Sequence, residues 1–358
     1  MSRNVTARID LDAVVANMAQ LQRCAPESRM LAVLKANAYG HGIEAVARAL
    51  RHADGFGVAS QGEAERLRAI GMQQPIVLFG GFDAPQDIAK LAQLDVRAAL
   101  HHPAQIAMLE AQRDSAPIHI WLKLDSGMNR LGFPPEEFHQ TLARLRALPN
   151  VAPDIVLMTH FAASDEPDYA TVERQLAVFQ QATAGLGLPV SLANSAAVLD
   201  HPATHGDWIR PGGALYGLTT KPGRIAAQDR LRAAMQLSTH LIAVRDKCSG
   251  AAIGYGGTYV CDHAMRVGVA AVGYGDGYPR HAAIGTPVLV AGQRCSVIGR
   301  VSMDLVTIDL SAAPQAQVGD EVVLWGDGLA IEEVAAAAGT ISYELTCRLS
   351  GRVHFSYA

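Results

Sequence analysis

Eight short apolar runs recur through the first 215 residues at intervals of about 20–35 positions. They are MLAVLK (30–35), GFGVA (55–59), PIVLFGG (75–81), VRAAL (96–100), IHIWLKLD (118–125), DIVLMTH (154–160), VSLAN (190–194) and DWIRPGG (207–213). Between most of them lie segments with helical spacing of apolar residues, such as IEAVARALR, QGEAERLRAIG, EEFHQTLARLRAL and VERQLAVFQQATAGLG. Strands that alternate with helices form βα units and a parallel sheet, because a parallel neighbour is reached only through a crossover. Continuously apolar strands, rather than alternating ones, suit a sheet covered on both faces. Eight such units predict an α/β fold: a closed (β/α)8 TIM-type barrel.

The texture changes after about residue 230. QLSTHLIAVRDK, RVGVAAVGYG, PVLVAGQRCSVIGRVSMDLVTIDL and DEVVLWGDG read as strands punctuated by Gly, Pro and Asp turns, with one helical stretch, IEEVAAAAG. This predicts a mainly antiparallel β domain. TTKPGRIAAQDR, near 220–235, reads as a linker and entry strand. The chain therefore divides into a barrel over 1–230, its first few residues available to pair with the other domain, and a β domain over 231–358. A length of 358 residues suits two domains.

A net charge of −4 argues against a nucleic-acid partner, which would call for a basic face. The five cysteines (24, 248, 261, 295 and 347) are scattered, with no CxxC or Cys/His cluster, so neither a disulfide framework nor a metal site is expected. MSRNVTARIDLDAVVANM lacks the basic-then-apolar layout of a signal peptide. No apolar run approaches the roughly 18 residues that a membrane span requires. The expectation is a cytoplasmic protein with no membrane partner.

In such a barrel the active site lies at the C-terminal ends of the strands. The first run ends in Lys35, the fifth leads to Lys123, Asp125 and Arg130, and the sixth ends in His160. The seventh ends in Asn194-Ser195 and the eighth in Arg210-Pro211-Gly212-Gly213. Cationic groups and a glycine turn on one rim suit an anion, and phosphate near the last strands is a recurrent barrel feature. A lysine buried at the end of its strand also loses its proton more easily. A neutral amine beside a phosphate site points to a lysine that holds pyridoxal 5'-phosphate covalently. Each residue taken alone has an ordinary reading. Lys35 would be a solvated strand end, His160 a hydrogen-bonded rim histidine, Arg210 half of a surface ion pair, and Asn194-Ser195 an N-cap. Their agreement on one rim favours the joint reading.

AVLKANAYGHG, LKLDSGMNRLGF, MTHFAASDE, LANSAA, IRPGGALYGL, IGYGGTY, VGYGDGYPR, IGRVSMD and SYELTCRL follow one another in this order. In order and spacing they resemble the bacterial alanine racemases, pyridoxal-phosphate enzymes of fold type III, from about residue 4 to 353. The resemblance implies that Lys35 carries the cofactor and is one of two catalytic bases. It implies a phosphate-binding set of Tyr39, Asn194, Ser195, Gly212 and Gly213. Arg210 resembles the arginine that faces the pyridine nitrogen, and His160 the residue packed against it. A guanidinium stays protonated, so it would keep the ring nitrogen unprotonated and limit side reactions.

Racemisation requires a second base, because the α-proton leaves one face of a planar centre and returns to the other. Alone, Tyr255 would read as a turn or packing tyrosine. By resemblance it is the second base, reaching the barrel of a partner subunit, and it needs nearby cations to act near neutrality. Tyr274, Met303 and Asp304 resemble residues that line substrate carboxylate and entry, and Arg130 one near the cofactor hydroxyl and substrate carboxylate. Lys123 stands where many members carry a carbamylated lysine; alone it would be an inward lysine paired with an acid. The resemblance thus implies a head-to-tail homodimer with shared sites acting on a small amino acid, whose monomer would be nearly inactive. It implies interconversion of L- and D-alanine, for peptidoglycan or for catabolism. The other readings are a broader amino-acid racemase accepting serine, a decarboxylase, and a non-catalytic pyridoxal-phosphate carrier. Three departures are expected to touch pocket shape: Gly351 where members have a C-terminal tyrosine, Ser302 for cysteine, and Gly213 for a larger residue.

Overall fold

The computed structural model describes residues 5–358. Contacts divide them into two compact units, Asn17–Leu215 and a second made of the described residues up to Ala16 with Tyr216–Ala358.

In the first unit, eight parallel strands close into a barrel: β2 (Arg29–Val33), β3 (Gly55–Val58), β4 (Ile76–Leu78), β5 (Val96–Leu100), β6 (Ile120–Lys123), β7 (Val156–Met158), β8 (Val190–Ser191) and β9 (Trp208–Ile209). Each falls within one of the eight apolar runs, except that β2 starts one residue earlier, at Arg29. β2 pairs with β9 to close the ring, Arg29 opposite Trp208 and Met30 opposite Ile209. Leu31, Val77, Ala99, Trp121, Val156, Met158 and Trp208 fill the interior, with Phe79 against them. A Cβ at Gly57 would lie 2.5 Å from the Phe79 ring, so a side chain there would force that ring to shift. Such a barrel is a packed core rather than a pore, and its chemistry is confined to the loops at the strand ends.

The second unit is built on an eight-stranded sheet whose strands are β1 (Thr6–Ile9), β10 (Met235–Lys247), β13 (Met265–Ala270), β14 (Pro287–Val290), β15 (Gln293–Ile298), β16 (Val306–Asp309), β17 (Glu321–Trp325) and β18 (His354–Tyr357). Their spatial order is β13-β16-β15-β14-β17-β10-β1-β18. All pairs are antiparallel except β1 with β18. A short ribbon, β11 (Ala252–Ile253) with β12 (Tyr259–Val260), seats Ile253 on Met265, Val267 and Ile298. The segment read as linker and entry strand is an ordered loop of this unit, not an extended one. Lys221 and Asp229 form a buried ion pair at 2.9 Å, and Ser342 Oγ donates to Thr219 O at 2.7 Å. Among the described residues, no helix is long and apolar enough to cross a membrane.

Candidate active site

β2 ends at Val33, and the buried Leu34 donates its N–H to Gly57 O at 2.8 Å. Lys35 then opens a left-handed turn, with φ of +53° at Ala36, +55° at Asn37, +57° at Ala38 and +51° at Tyr39. L-residues avoid this region by roughly 1–2 kcal/mol each, so such a run is strained and must be held by its surroundings. The sequence reading put Lys35 at the buried end of its strand. Instead the strand stops two residues short, and the turn presents Lys35 as an exposed side chain at the barrel mouth.

The other cations of the mouth lie deeper. Lys123, the last residue of β6, is 8% exposed, with the carboxylate of Asp125 acting on it from two residues further on. Burial first, and then the charges of Arg130 and Arg210, lowers Lys123 to about 8. Arg210, directly after β9, is buried, and burial lowers it to about 10. Its guanidinium donates to Ser191 Oγ at 2.7 Å, Thr159 O at 2.6 Å and Leu192 O at 3.1 Å. Arg210 Nη2 lies 3.4 Å from His160 Nδ1. Arginine can only donate, so that ring nitrogen accepts and is unprotonated. Burial, followed by the Arg210 charge, holds His160 well below the usual histidine range, which agrees with a neutral ring. Arg130 is exposed in the loop after β6.

Tyr39 ends the left-handed turn with its hydroxyl against Gly212. A Cβ on Gly212 would lie 2.4 Å from that oxygen, so only glycine permits the approach. Ser195 Oγ accepts the N–H groups of Gly212 at 2.8 Å and Ala214 at 3.3 Å, which ties the glycine turn to the preceding βα unit. Asn194 is the N-cap of Ser195–Asp200: its Oδ1 accepts Ala197 N–H at 3.1 Å and Ser164 Oγ–H at 2.8 Å.

These residues suit pyridoxal phosphate on two grounds. Several cations share the mouth and lower one another's proton affinity, a situation that a bound anion relieves. The Tyr39–Gly212 contact places a hydroxyl against a side-chain-free backbone turn, the kind of cradle a phosphate takes.

The remaining candidates lie in the second unit. Tyr255 is 71% exposed, in the loop that joins β11 to β12. A Cβ on the adjacent Gly256 would lie 3.4 Å from Arg300 Nη1, so a guanidinium lies alongside this loop. Tyr274 N–H donates to Ser302 O at 3.1 Å and Gly275 N–H to Met303 O at 2.9 Å, which brings Tyr274, Met303 and Asp304 together. Asp304 accepts from Arg352 Nη2 at 2.6 Å, and Arg352 Nε lies 3.3 Å from the buried Asp276. The Asp304 carboxylate is therefore engaged by Arg352. A side chain at Gly351 would meet nothing within 4 Å, but the C-terminal segment does carry an exposed tyrosine, Tyr357 on β18.

Two residues of these mouths escaped the sequence reading. His101 follows β5, contacts Gly80 O through Nε2 at 3.0 Å, and is lowered by burial ahead of the Lys123 charge. The pair LHH after the fourth run was its only signal. Arg300 was visible as the arginine of IGRVSMD, with nothing to show that it meets the GYGGT loop.

A closed parallel barrel with a lysine-bearing cationic mouth, followed by an antiparallel β unit, defines a class: barrel enzymes with an appended β domain. Comparison with known proteins narrows it. Residues 9–220 match the family model "Alanine racemase, N-terminal domain" and residues 234–357 match "Alanine racemase, C-terminal domain". An alanine racemase of Shewanella baltica is 49% identical over 347 residues, 97% of each chain. The crystal structure of the biosynthetic alanine racemase of Pseudomonas aeruginosa superposes with a TM-score of 0.97 at 44% identity, covering 99% of both chains. The structure of the alanine racemase from Acinetobacter baumannii gives a TM-score of 0.92 at 34% identity, covering 99% of this chain and 100% of the other. The chain belongs to the alanine racemase family.

Proposed function

We propose that the chain interconverts L- and D-alanine on pyridoxal 5'-phosphate, with Lys35 and Tyr255 as bases on opposite faces of the α-carbon. The reading is carried by Lys35, which stands on the turn that also sets Tyr39 against Gly212, in a chain that matches the family across both domains. Bound pyridoxal phosphate supplies an electron-withdrawing ring conjugated to the substrate nitrogen, which acidifies the α C–H. Tyr39, Asn194, Ser195, Gly212 and Gly213 would hold its phosphate. Arg210 remains a cation at about 10 and would face the ring nitrogen, keeping it unprotonated, while neutral His160 accepts from Arg210 and adds no charge. Arg130 would take the substrate carboxylate, with Tyr274, Met303 and Asp304 lining the approach.

Lys35 removes or returns the proton on one face and Tyr255 on the other. Arg300 lies alongside the Tyr255 loop and brings a positive charge to it. Lys123, lowered to about 8, keeps a neutral fraction at ordinary pH, and a neutral amine is the form that adds carbon dioxide. Carbamylation (amine plus carbon dioxide giving carbamate and a released proton) would set an anion between Arg130 and Arg210. We place the two faces in two subunits of a head-to-tail homodimer, a reading supported by the exposure of Tyr255. Likeness to a biosynthetic enzyme supports D-alanine supply as the role.

Borohydride treatment of the purified protein should abolish its visible cofactor band and leave the cofactor bonded to Lys35. Tyr255→Phe should slow racemisation by roughly 10²–10⁴-fold, the usual range for a lost proton-transfer group. Attachment elsewhere, or a full rate in Tyr255→Phe, would refute the assignment. Serine racemised as fast as alanine would replace strict alanine specificity with the broader activity.

A further inference from the structure

We infer that the Gln61–Ala69 helix clamps the left-handed turn through Glu63 and Arg66, and that these two side chains, with His41, are positioning residues that aim Lys35 and Tyr39. The inference rests on the reading of Lys35 as the cofactor lysine.

The turn belongs to one βα unit and the helix to the next. Glu63 Oε1 accepts the Asn37 N–H at 3.2 Å, while Oε2 accepts the N–H groups of Ala59 at 2.9 Å and Ser60 at 3.2 Å. Ser60 Oγ accepts the Glu63 N–H at 3.3 Å. One carboxylate thus completes the capping box of its own helix and holds a backbone amide of the turn. One helical turn further on, Arg66 Nη2 donates to Asn37 Oδ1 at 2.8 Å, and the guanidinium grips Glu44 at 2.7 and 2.8 Å. Asn37 Oδ1 also accepts the N–H of Ile43, at 3.2 Å, where the next helix starts. From the interior, His41 Nδ1 donates to the carbonyls of Ala38 at 3.1 Å and Tyr39 at 2.9 Å. His41 is fully buried and lowered by that burial to about 4, so it stays neutral and its Nδ1–H remains a donor to these carbonyls.

The capping box requires only Ser60 and Glu63; the bonds to Asn37 serve the turn. Without them the strained residues would relax to commoner backbone regions. Lys35 and Tyr39 are the first and last residues of this turn, so its shape sets where the amine stands relative to the hydroxyl at Gly212. A misplaced reacting group is costly even when every catalytic residue is present.

The test compares Glu63→Ala, Arg66→Ala and Arg66→Lys with Ser60→Ala, which weakens the same helix cap without touching the turn. In the cofactor-loaded enzyme, Glu63→Ala and Arg66→Ala should lower kcat about tenfold with KM within about twofold. They should raise the α-deuterium isotope effect for only one enantiomer, the one whose proton Lys35 takes. Amide hydrogen exchange at Asn37 should quicken about tenfold in Glu63→Ala. Arg66→Lys keeps a donor for Asn37 and should recover part of the rate, which also covers the case of an alanine variant that does not fold. Ser60→Ala should lower thermal stability and leave isotope effect and Asn37 exchange unchanged. If Glu63→Ala and Arg66→Ala behave like Ser60→Ala, the clamp is refuted. If borohydride fails to fix the cofactor to Lys35 in the unaltered enzyme, it is the underlying reading that falls.

Discussion

Lys123 shows how one side chain ties the candidate site to stability. Its folded value of about 8 lies below the ordinary lysine value of 10.5, through burial first and neighbouring arginines second. Below pH 8 the folded chain must keep a charged amine that it disfavours, whereas the unfolded chain holds that proton up to 10.5. Between these limits the folded state binds fewer protons, so stability rises with pH across the window. The full cost below it is roughly 3 kcal/mol. Lys123→Met, similar in size and uncharged, should therefore stabilise cofactor-free, carbonate-free protein below pH 8 by an amount of that order. The advantage should fade above 10.5. Urea unfolding on both sides of the window measures it; parallel pH profiles for the two proteins would show that Lys123 is not strained by its charge. The sequence located this lysine because it ends a continuous apolar run. That burial and the charges of Arg130 and Arg210 outweigh Asp125 was not legible, since that depends on which side chains other strands bring alongside.

At the scale of the element, the barrel strands were legible because an uninterrupted apolar run leaves few alternatives to a doubly covered strand. The turn after β2 was not. Ala, Asn, Ala and Tyr give no local reason to take positive φ in succession, and the grip of Glu63, Arg66 and His41 comes from elsewhere in the fold. Local preference and tertiary demand conflict here, and the conflict marks a functional segment. Glycine enters the left-handed region freely, whereas alanine pays about 1–2 kcal/mol. Exposed Ala36, with φ of +53°, should thus gain roughly 0.5–1 kcal/mol on substitution by glycine, after the entropy of the more flexible unfolded chain is deducted. The urea midpoint should rise accordingly. An unchanged or lower midpoint would mean that the turn relaxes its strain in solution. The same variant frees the chain next to Lys35, so its kcat should fall while its stability rises.

At the scale of the whole molecule, the proposed bases sit in different compact units: Lys35 in Asn17–Leu215 and Tyr255 in the unit that includes Tyr216–Ala358. The unit boundary and the exposure of Tyr255 give the shared-site reading a test that needs only mixing. A Lys35→Ala subunit keeps its Tyr255, and a Tyr255→Phe subunit keeps its Lys35. If each site takes its lysine from one copy and its tyrosine from the other, neither parent dimer holds an intact site. A mixed dimer holds one intact site and one doubly altered. Equal amounts, unfolded together and refolded, form mixed dimers half of the time by chance, so the mixture should recover roughly a quarter of the unaltered activity. The recovered fraction should fall as one parent is diluted by the other. Activity no greater than the average of the two parents would place both bases in one subunit, and the exposed Tyr255 loop would then need another explanation. Recovery near a quarter would mean that a single folded chain carries two half-sites and no whole one.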